Sequence, residues 1–332
     1  MILICYGTRP EFIKIQPLIS ELKGNVPYKL LFTGQHIDIA NFQYDYKLNI
    51  KPLKNRLDSI FSSCLHLDES IFFGVESVMV MGDTASAAAM SIAAFNRGLK
   101  ILHLEAGLRT YDMNNPYPEE GYRQIISRLA DVHFCPTKEN KLNLEKEKAG
   151  GSKHIVGNTV LDNLVGLKTS YTDEVIVTIH RRENHSLIID WFKELSKLAL
   201  ENNNLRFTIP LHPNPNVSEH KGYLIGLNII EPLPYEEMKA KISNCRFIIS
   251  DSGGLQEEAS FLKKKIIVCR KTTERPESLG KTSFMCKHPH KLKEIFNKIK
   301  NNFKTEELHD CPYGDGKSSS RIRKILIPKI TC

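Results

Sequence analysis

Residues 1–14 read MILICYGTRPEFIK, and this stretch decides the fold. A short apolar run ends in the loop GTRP (7–10), and a helical pattern follows from Glu11 to Lys23. A buried strand that enters a helix through a glycine-containing turn is the unit from which parallel α/β domains are built. Pro10 suits the first turn of a helix. The opening therefore predicts the first strand and first helix of a doubly wound domain.

The same alternation of apolar runs and helical stretches continues along the chain and restarts after a polar segment at 168–173. The predicted strands are Met1–Tyr6, Lys29–Thr33, Ser77–Met81, Lys100–Leu104, Val132–Cys135, Glu174–Ile179, Leu205–Pro210, Arg246–Ser250 and Ile266–Cys269. The predicted helices are Glu11–Lys23, Thr84–Arg97, Glu120–Ala130, Leu187–Leu200, Tyr235–Ser243 and Leu255–Leu262.

The length of 332 residues suits two such domains better than one. We predict an N-terminal Rossmann-like domain over 1–165 and a second Rossmann-like domain over 173–315, with a last helix in 316–332. Two α/β halves of similar size make the cleft at their interface the expected binding site.

Composition narrows the class of protein. Hydrophobic content of 41% and charged content of 25% are typical of a globular protein, and no run of 18 apolar residues predicts a membrane span. The N-terminus lacks the basic and long apolar regions of a signal peptide. The net charge of +8 is spread among acidic residues, which favours a solvated surface over nucleic-acid binding.

The eight cysteines are scattered, with no Cys-x-x-Cys pair. Several lie in apolar strand-like runs, where free thiols behave as small hydrophobic side chains. We interpret them as reduced, structural residues, which predicts a cytoplasmic location.

Polar or glycine-containing segments follow nearly every predicted strand. Since ligands of open α/β sheets bind outside the carboxyl ends of the strands, these segments are where chemistry is expected. They are GTRP (7–10), GDT (82–84), EAG (105–107), HRR (180–182) and DSGG (251–254).

The DSGG segment precedes a helix, and its small residues Ser252, Gly253 and Gly254 let backbone N–H groups approach a phosphate. The alternative is an ordinary strand-to-helix turn capped by Ser252. Glu258, one turn on, is placed either to bind ribose hydroxyls or to compensate the helix dipole.

Two cations, Arg9 and Lys14, stand near the start of the first helix, where the helix dipole disfavours positive charge. Such a placement points to a bound anion. The alternative for Lys14 is an ordinary surface position.

Three acids, Asp83, Glu105 and Glu119, sit just past strands or in loops that feed helices. Their loops lack the His and carboxylate density of a metal site. Carboxylates in a partly buried cleft have perturbed pKa values that suit proton transfer at carbon. Taken together they predict proton chemistry without a metal, although each one alone has a capping or surface role as its alternative.

Two histidines also follow strands. His180 opens HRREN (180–184), where a charged imidazole beside a diphosphate stabilises a departing nucleotide. His212 lies in LHPNPNV (211–217) and is a second candidate for binding the nucleotide sugar. The alternative is a structural role in a proline-fixed loop.

Taken together, the loops resemble one family, the non-hydrolysing UDP-N-acetylglucosamine 2-epimerases. The matching stretches run in family order through almost the whole chain. They are GTRPEFIK (7–14), GDTASA (82–87), HLEAGLRT (103–110), YPEEGYRQ (117–124), HFCPT (133–137), GNTVLDN (157–163), HRREN (180–184), LHPNPNV (211–217), SDSGGLQEEA (250–259), TTERPE (272–277) and YGDGKSSSRI (313–322).

The resemblance implies a glycosyltransferase-B-like fold, an active site in the interdomain cleft, a last helix that crosses back to the first domain, and a homodimer. It implies C2 inversion of a UDP-2-acetamido sugar through a bound 2-acetamidoglucal, with no metal and no cofactor. Matched by motif, the acid–base candidates are Asp83, Glu105 and Glu119, with Arg123 and His180 on the diphosphate side. The implied UDP-binding residues are Arg9, Lys14, Ser252, Gly253, Gly254 and Glu258.

The sequence departs from the family pattern at a few positions. Met81 replaces the usual histidine before GDT, Ile179 replaces the usual glycine before HRREN, and Tyr122 replaces a common asparagine. Ile37 and Asp38 stand where members that bind a second UDP-GlcNAc as an activator often have longer polar side chains. The chain is also shorter than typical members.

The alternatives keep the fold and change the reaction. A hydrolysing 2-epimerase would release free sugar and UDP, and relatives act on UDP-2,3-diacetamido-glucuronate or on UDP-linked 6-deoxy-acetamido sugars. A glycosyltransferase would need an acceptor site, and a catalytically silent binding protein would hold the nucleotide sugar unchanged.

Overall fold

A computed structural model describes residues 1–36, 42–305 and 310–327. The chain forms two compact units, one of Met1–Asn163 with Gly314–Cys332 and one of Leu164–Tyr313. Ile37 and Asp38, as well as the part of the predicted segment 316–332 beyond residue 327, lie outside the described residues. Within the described residues, no helix has the length and apolar character that a membrane crossing requires.

Unit 1 is built on a seven-stranded sheet with the order β3-β2-β1-β4-β5-β6-β7, in which the paired strands are parallel. The strands are β1 Ile2–Tyr6, β2 Tyr28–Phe32, β3 Tyr46–Lys47, β4 Ser77–Met81, β5 Lys100–Leu104, β6 Val132–Cys135 and β7 Ser152–Ile155. The helices are α1 Arg9–Leu22, α2 Arg56–Leu65, α3 Ala85–Phe95, α4 Glu119–Leu129, α5 Lys138–Lys146 and, after unit 2, α11 Ser318–Leu326.

Central strands of this sheet read as continuous apolar runs because both of their faces are covered. All five residues of β1 and of β4 are buried, as expected for a parallel sheet with helices on both sides. The strand order reverses between β1 and β4, which pair in parallel register from Ile2 opposite Ser77. The loops after these two strands therefore lie at the switch point of the sheet.

The last helix, α11, packs on α1 of unit 1 and is anchored by one side chain. The Asp162 carboxylate accepts hydrogen bonds from the backbone N–H groups of Ser318 and Ser319 at 3.0 and 2.7 Å. These groups have no partner within the helix at its N-terminus, so a carboxylate there satisfies them and suits the helix dipole. Ile322 of this helix is buried in the core beside α1.

Unit 2 repeats the architecture with a six-stranded sheet, in the order β10-β9-β8-β11-β12-β13 with parallel pairs. The strands are β8 Glu174–Thr178, β9 Arg206–Pro210, β10 Asn228–Ile230, β11 Phe247–Ser250, β12 Ile266–Val268 and β13 Ser283–Met285. The helices are α6 Ile188–Glu201, α7 Pro215–Ser218, α8 Tyr235–Asn244, α9 Gly253–Phe261 and α10 Leu292–Ile299. The switch point lies between β8 and β11.

The sequence-based prediction of two Rossmann-like α/β domains is confirmed by these two sheets. Predicted strands at Ser77–Met81, Lys100–Leu104 and Val132–Cys135 match the observed bounds. The sequence reading missed the strands β3, β7, β10 and β13, as well as the helices α2, α5, α7 and α10. The polar segment 168–173, after which the predicted alternation restarts, is hydrogen-bonded to the end of α8, with Thr172 N–H donating to the carbonyl of Asn244 at 3.0 Å.

One buried carboxylate ties together the two loops at the switch point of unit 1. Glu11, 4% exposed, accepts from the N–H groups of Gly7 and Thr8 at 3.0 and 2.8 Å, and also from the Thr8 hydroxyl. Its other oxygen accepts from the Thr84 hydroxyl at 2.8 Å. Thr8 and Thr84 cap α1 and α3, so Glu11 holds the beginnings of both helices.

Replacing Glu11 with glutamine is expected to remove a pH dependence of stability. Burial raises the pKa of the Glu11 carboxyl from 4.5 to about 7, outweighing the four hydrogen bonds that favour its charged form. Because the folded protein binds this proton more tightly than the unfolded chain, protonated Glu11 stabilises the folded state. This stabilisation is fully present below the unfolded pKa. It is lost as the pH rises through the folded pKa, and its upper size is about 3 kcal/mol.

The measurement is urea unfolding between pH 5 and 8, followed by hydrogen exchange of the β1 and α1 amides. The wild-type chain should lose stability in unit 1 as the pH rises, whereas Glu11→Gln should not. Glutamine keeps an accepting oxygen for the Gly7 and Thr8 amides, so the substitution changes the charge more than the bonding. Equal slopes of the unfolding free energy against pH in the two proteins contradict this prediction.

Candidate functional site

In unit 1 two of the three predicted acids, Asp83 and Glu105, lie at the carboxyl ends of the neighbouring strands β4 and β5. The Gly82 N–H donates to the Leu104 carbonyl at 3.0 Å, so Asp83 and Glu105 leave the sheet side by side. Glu105 has a φ of 59°, a left-handed conformation that costs free energy in a residue with a side chain. The structure therefore places the Glu105 carboxylate by means of a backbone conformation that is unfavourable for a residue with a side chain.

Glu105 is almost fully buried and is paired with a cation. Both of its oxygens accept from the Lys14 ammonium at 2.7 Å, and one also accepts from the Asn158 amide at 2.9 Å. The side chains of Glu105 and Lys14 are 5% and 15% exposed, so the ion pair is shielded from solvent. Lys14, predicted to meet a ligand anion, contacts this carboxylate in the structure.

Asp83 is paired in the same way with Arg123 on α4. The Arg123 guanidinium lies 2.6 Å from Asp83 and 3.2 Å from Glu120. Glu120 is fully buried, and it also accepts from the N–H of Thr110 at 3.0 Å. Glu119 begins α4 and precedes Arg123 by four residues, which places the two side chains on one face of the helix.

Unit 1 therefore brings four of its six predicted residues together in two carboxylate–cation pairs. The fifth, Glu119, begins α4, one turn before Arg123. The sixth, Arg9, is exposed at the first residue of α1, directly after the loop that Glu11 holds. Arg109, which lies near these acids in sequence, pairs instead with Glu147 at 2.7 Å.

In unit 2 the two predicted histidines follow the neighbouring strands β8 and β9, and their rings stack. The His180 and His212 ring centroids are 5.0 Å apart with an interplanar angle of 19°. His212 is exposed, and its Nδ1 accepts from the N–H of Asn214 at 3.1 Å. Burial lowers the pKa of His180, while the Asp251 carboxylate raises it and the charge of Arg181 lowers it.

Asp251, the first residue of the DSGG segment, is fully buried and bridges the two loops at the switch point of unit 2. Its Oδ2 accepts from the N–H groups of His180 and Arg181 at 2.9 and 2.8 Å. It also accepts from the Asn184 amide at 3.0 Å. The bridge fixes the backbone of His180 relative to the turn that begins α9.

The residues Ser252, Gly253 and Gly254 form the start of α9, with Ser252 in the N-cap position. A Cβ on Gly253 would lie 2.6 Å from Arg275 Nη1 and 2.9 Å from Glu274 Oε1, whereas none of the described atoms lies within 4 Å of a Cβ on Gly254. The first glycine is therefore required by packing. The second faces open space, as a phosphate-binding helix start requires.

Glu258, one turn further along α9, is buried and accepts from the Tyr235 hydroxyl at 2.9 Å. Behind the helix, Arg275 is ion-paired with Glu257 at 2.5 Å and also with Glu274. All three of these charged side chains are buried, so this network fixes α9 from within the unit. Glu274 and Arg275 belong to the TTERPE stretch, for which sequence reasoning gave no role.

Of the three described residues that depart from the family pattern, two lie in the hydrophobic cores and the third, Tyr122, is partly buried. Met81 and Ile179 are buried in the hydrophobic cores of units 1 and 2 respectively. Tyr122 packs on Phe61, with ring centroids 5.5 Å apart. Among the described residues, no group of three or more His, Cys, Asp or Glu side chains is arranged to hold a metal ion.

Sequence reasoning missed the buried groups that hold the site. Glu11, Asp251, Glu120 and Asn158 all lie inside the motifs quoted above, but none was singled out. A charged residue directly after a predicted strand is a signal that could have found Asp251, whereas Glu11, Glu120 and Asn158 do not directly follow a predicted strand.

The chain is similar to known proteins over almost its whole length. The family model described as UDP-N-acetylglucosamine 2-epimerase matches residues 20–327. The chain is 38% identical to a UDP-N-acetylglucosamine 2-epimerase of Salmonella borreze, over 97% of this chain and 96% of that protein.

Two solved structures are also similar. The UDP-GlcNAc 2-epimerase of Neisseria meningitidis, bound to UDP-GlcNAc, is 32% identical with a TM-score of 0.87, over 98% of this chain and 99% of that one. That of Methanocaldococcus jannaschii, in complex with UDP-GlcNAc and UDP, is 27% identical with a TM-score of 0.83, over 98% and 99% of the two chains. The chain belongs to the UDP-N-acetylglucosamine 2-epimerase family.

Proposed function

We propose that the chain inverts C2 of a UDP-linked 2-acetamido sugar without hydrolysing it, and that its main reaction converts UDP-GlcNAc to UDP-ManNAc. The observation that carries the proposal is the pairing of Glu105 with Lys14 and of Asp83 with Arg123 at neighbouring strand ends. Proton transfer at carbon needs carboxylates held in place and shielded from bulk water. Membership of the family supplies the substrate class.

In this reaction a carboxylate of unit 1 takes the proton from C2 while the bond between C1 and the UDP oxygen breaks. The electron pair of the C2–H bond forms the double bond of 2-acetamidoglucal, and UDP leaves as an anion. A second acid returns a proton to the opposite face of C2, and UDP adds again at C1. Asp83, Glu105 and Glu119 are the candidates for the two roles.

We assign UDP to the residues of unit 2 and to the cations at the start of α1. The open start of α9 at Gly254 offers backbone N–H groups to a phosphate, and Glu258 is placed to accept from ribose hydroxyls. His180, His212 and Arg9 would offset the charge of the departing diphosphate. A homodimer, which the resemblance implies, and a cytoplasmic location, which the scattered cysteines predict, belong to the same proposal.

Exchange of the C2 proton with solvent tests the reaction. We expect incubation with UDP-GlcNAc in heavy water to give deuterium at C2 of a product still attached to UDP, as seen by proton NMR. UDP-2,3-diacetamido-glucuronate and a UDP-linked 6-deoxy-acetamido sugar, run in parallel, identify the preferred sugar. Stoichiometric release of free sugar and UDP would instead establish the hydrolysing reaction, and activity only with an added acceptor would establish a transferase.

Neutralising the three carboxylates should remove catalysis while sparing UDP binding. Asp83→Asn, Glu105→Gln and Glu119→Gln are each expected to lower turnover by about 10²-fold or more, the usual contribution of a general acid or base. Calorimetry with UDP should give affinities close to wild type. Glu69→Gln, at an exposed carboxylate paired with Arg97, is the matched control, and wild-type rates in all three variants would refute the assignment.

The two glycines of α9 should separate packing from ligand binding. Gly253→Ala must displace Arg275 and Glu274, so we expect a loss of stability of about 1–3 kcal/mol. Gly254→Ala should keep or raise the stability by up to about 1 kcal/mol, since alanine favours helix, yet weaken UDP binding by placing a methyl group in the phosphate space. Thermal unfolding and UDP calorimetry measure both effects, and wild-type UDP affinity in Gly254→Ala would argue against this phosphate site.

A further inference from the structure

A buried carboxylate at the switch point of unit 2 is not one of the groups assigned to the reaction. Asp251 is fully buried, and its Oδ2 accepts all three of the hydrogen bonds described above. Its Oδ1 is buried with no hydrogen-bond partner among the described residues. A buried carboxylate with one bare oxygen is costly, because the charge is only partly compensated.

Asp251 connects two loops of the proposed site, which gives a reason for burying its carboxyl group. Two of its three hydrogen bonds reach the backbone of His180 and Arg181, so the carboxylate sets where the His180 side chain begins. The residue after it is Ser252, the N-cap of α9. One side chain thus joins the loop that carries the histidine to the loop proposed to hold the diphosphate.

We propose that Asp251 is a positioning residue that holds His180 and the start of α9 in one arrangement, with its carboxyl group bonded to the loop that carries the imidazole. The proposal rests on the function proposed above, in which His180 faces the departing diphosphate. A histidine in that place is useful when it carries a proton, because a cation stabilises the leaving anion.

The charges around His180 oppose one another. Arg181 and His185 on its own loop disfavour its protonated form, and so does burial, whereas Asp251 at the end of β11 favours it. His212, from the loop after β9, stacks on the ring. Asp251 is therefore the carboxylate that keeps the pKa of His180 from falling further.

Asp251→Asn tests this with little change of shape. An asparagine oxygen in the place of Oδ2 can still accept from the backbone N–H groups, and its amide nitrogen takes the place of the bare Oδ1. The pKa of His180, followed by NMR of its ring C–H and assigned with His180→Gln, should fall relative to wild type. Asp190→Asn, at an exposed carboxylate of α6 in the same unit, is the charge-matched control and should leave the pKa unchanged.

The pH dependence of kcat/KM distinguishes this role from a purely structural one, which would lower the rate without shifting the pH profile. The alkaline limb of the pH dependence of kcat/KM should shift to lower pH in Asp251→Asn. The rate should drop by about tenfold at pH 8, equivalent to a shift of about one pH unit, and recover as the pH is lowered. In a His180→Asn background, the same substitution should cost much less, because its effect is transmitted through the imidazole.

The outcomes separate this inference from the proposed function. If wild type shows no C2 exchange with any of the three sugars, the proposed function fails, but the NMR comparison still tests the effect of Asp251 on His180. If wild type is active but Asp251→Asn leaves the pKa and the alkaline limb in place, or lowers the rate equally at all pH values and in both backgrounds, the inference is wrong. Should Asp251→Asn not fold, Asp251→Glu keeps the charge and should retain the wild-type limb at a lower rate; a limb shifted to lower pH in that variant also overturns it.

Discussion

The site depends on one constraint that both units meet in the same way, which is a buried carboxylate across the switch point of a parallel sheet. In unit 1, Glu11 joins the loop after β1 to Thr84 after β4. In unit 2, Asp251 after β11 joins the loop after β8 through the backbone of His180. Parallel strands bring the ends of different chain segments to one edge of the sheet, and the loops that continue from those ends need further bonds to hold them together. A carboxylate that accepts several N–H and O–H groups supplies this fixation.

In unit 1, ion pairs fix the side chains that lie at these strand ends. An isolated carboxylate at a buried strand end is strongly disfavoured, and the pairs Glu105–Lys14 and Asp83–Arg123 remove most of that penalty. Such pairs contribute little net stability, because the desolvation of both partners offsets their attraction. Their value lies in geometry, since each cation fixes where its carboxylate points. The left-handed backbone of Glu105 is a second cost borne at the same position.

The sequence predicted the central strands almost residue for residue because strands buried on both faces are continuous apolar runs, as in β4 and β5. It missed β3 and β10 because edge strands are short and partly exposed, and their residues carry no such pattern. It selected Asp83, Glu105 and His180 from their places after strands. It passed over Glu11 and Asp251 because their partners, Thr84 and His180, lie 73 and 71 residues away. No local pattern encodes a bond across that separation.

The positions at which the chain departs from the family pattern separate residues that pack in the core from residues of the proposed site. Met81 and Ile179 each immediately precede a loop of the site, yet both side chains point into a hydrophobic core. Successive residues of a strand face opposite sides of the sheet, and the last residue of a strand fixes the direction in which its loop leaves. Met81 ends β4 and Ile179 directly follows β8, so both side chains pack in the core next to the loops that carry Asp83 and His180. Sequence identity at such positions says little about the chemistry, which we propose depends on the carboxylates and their bonding partners.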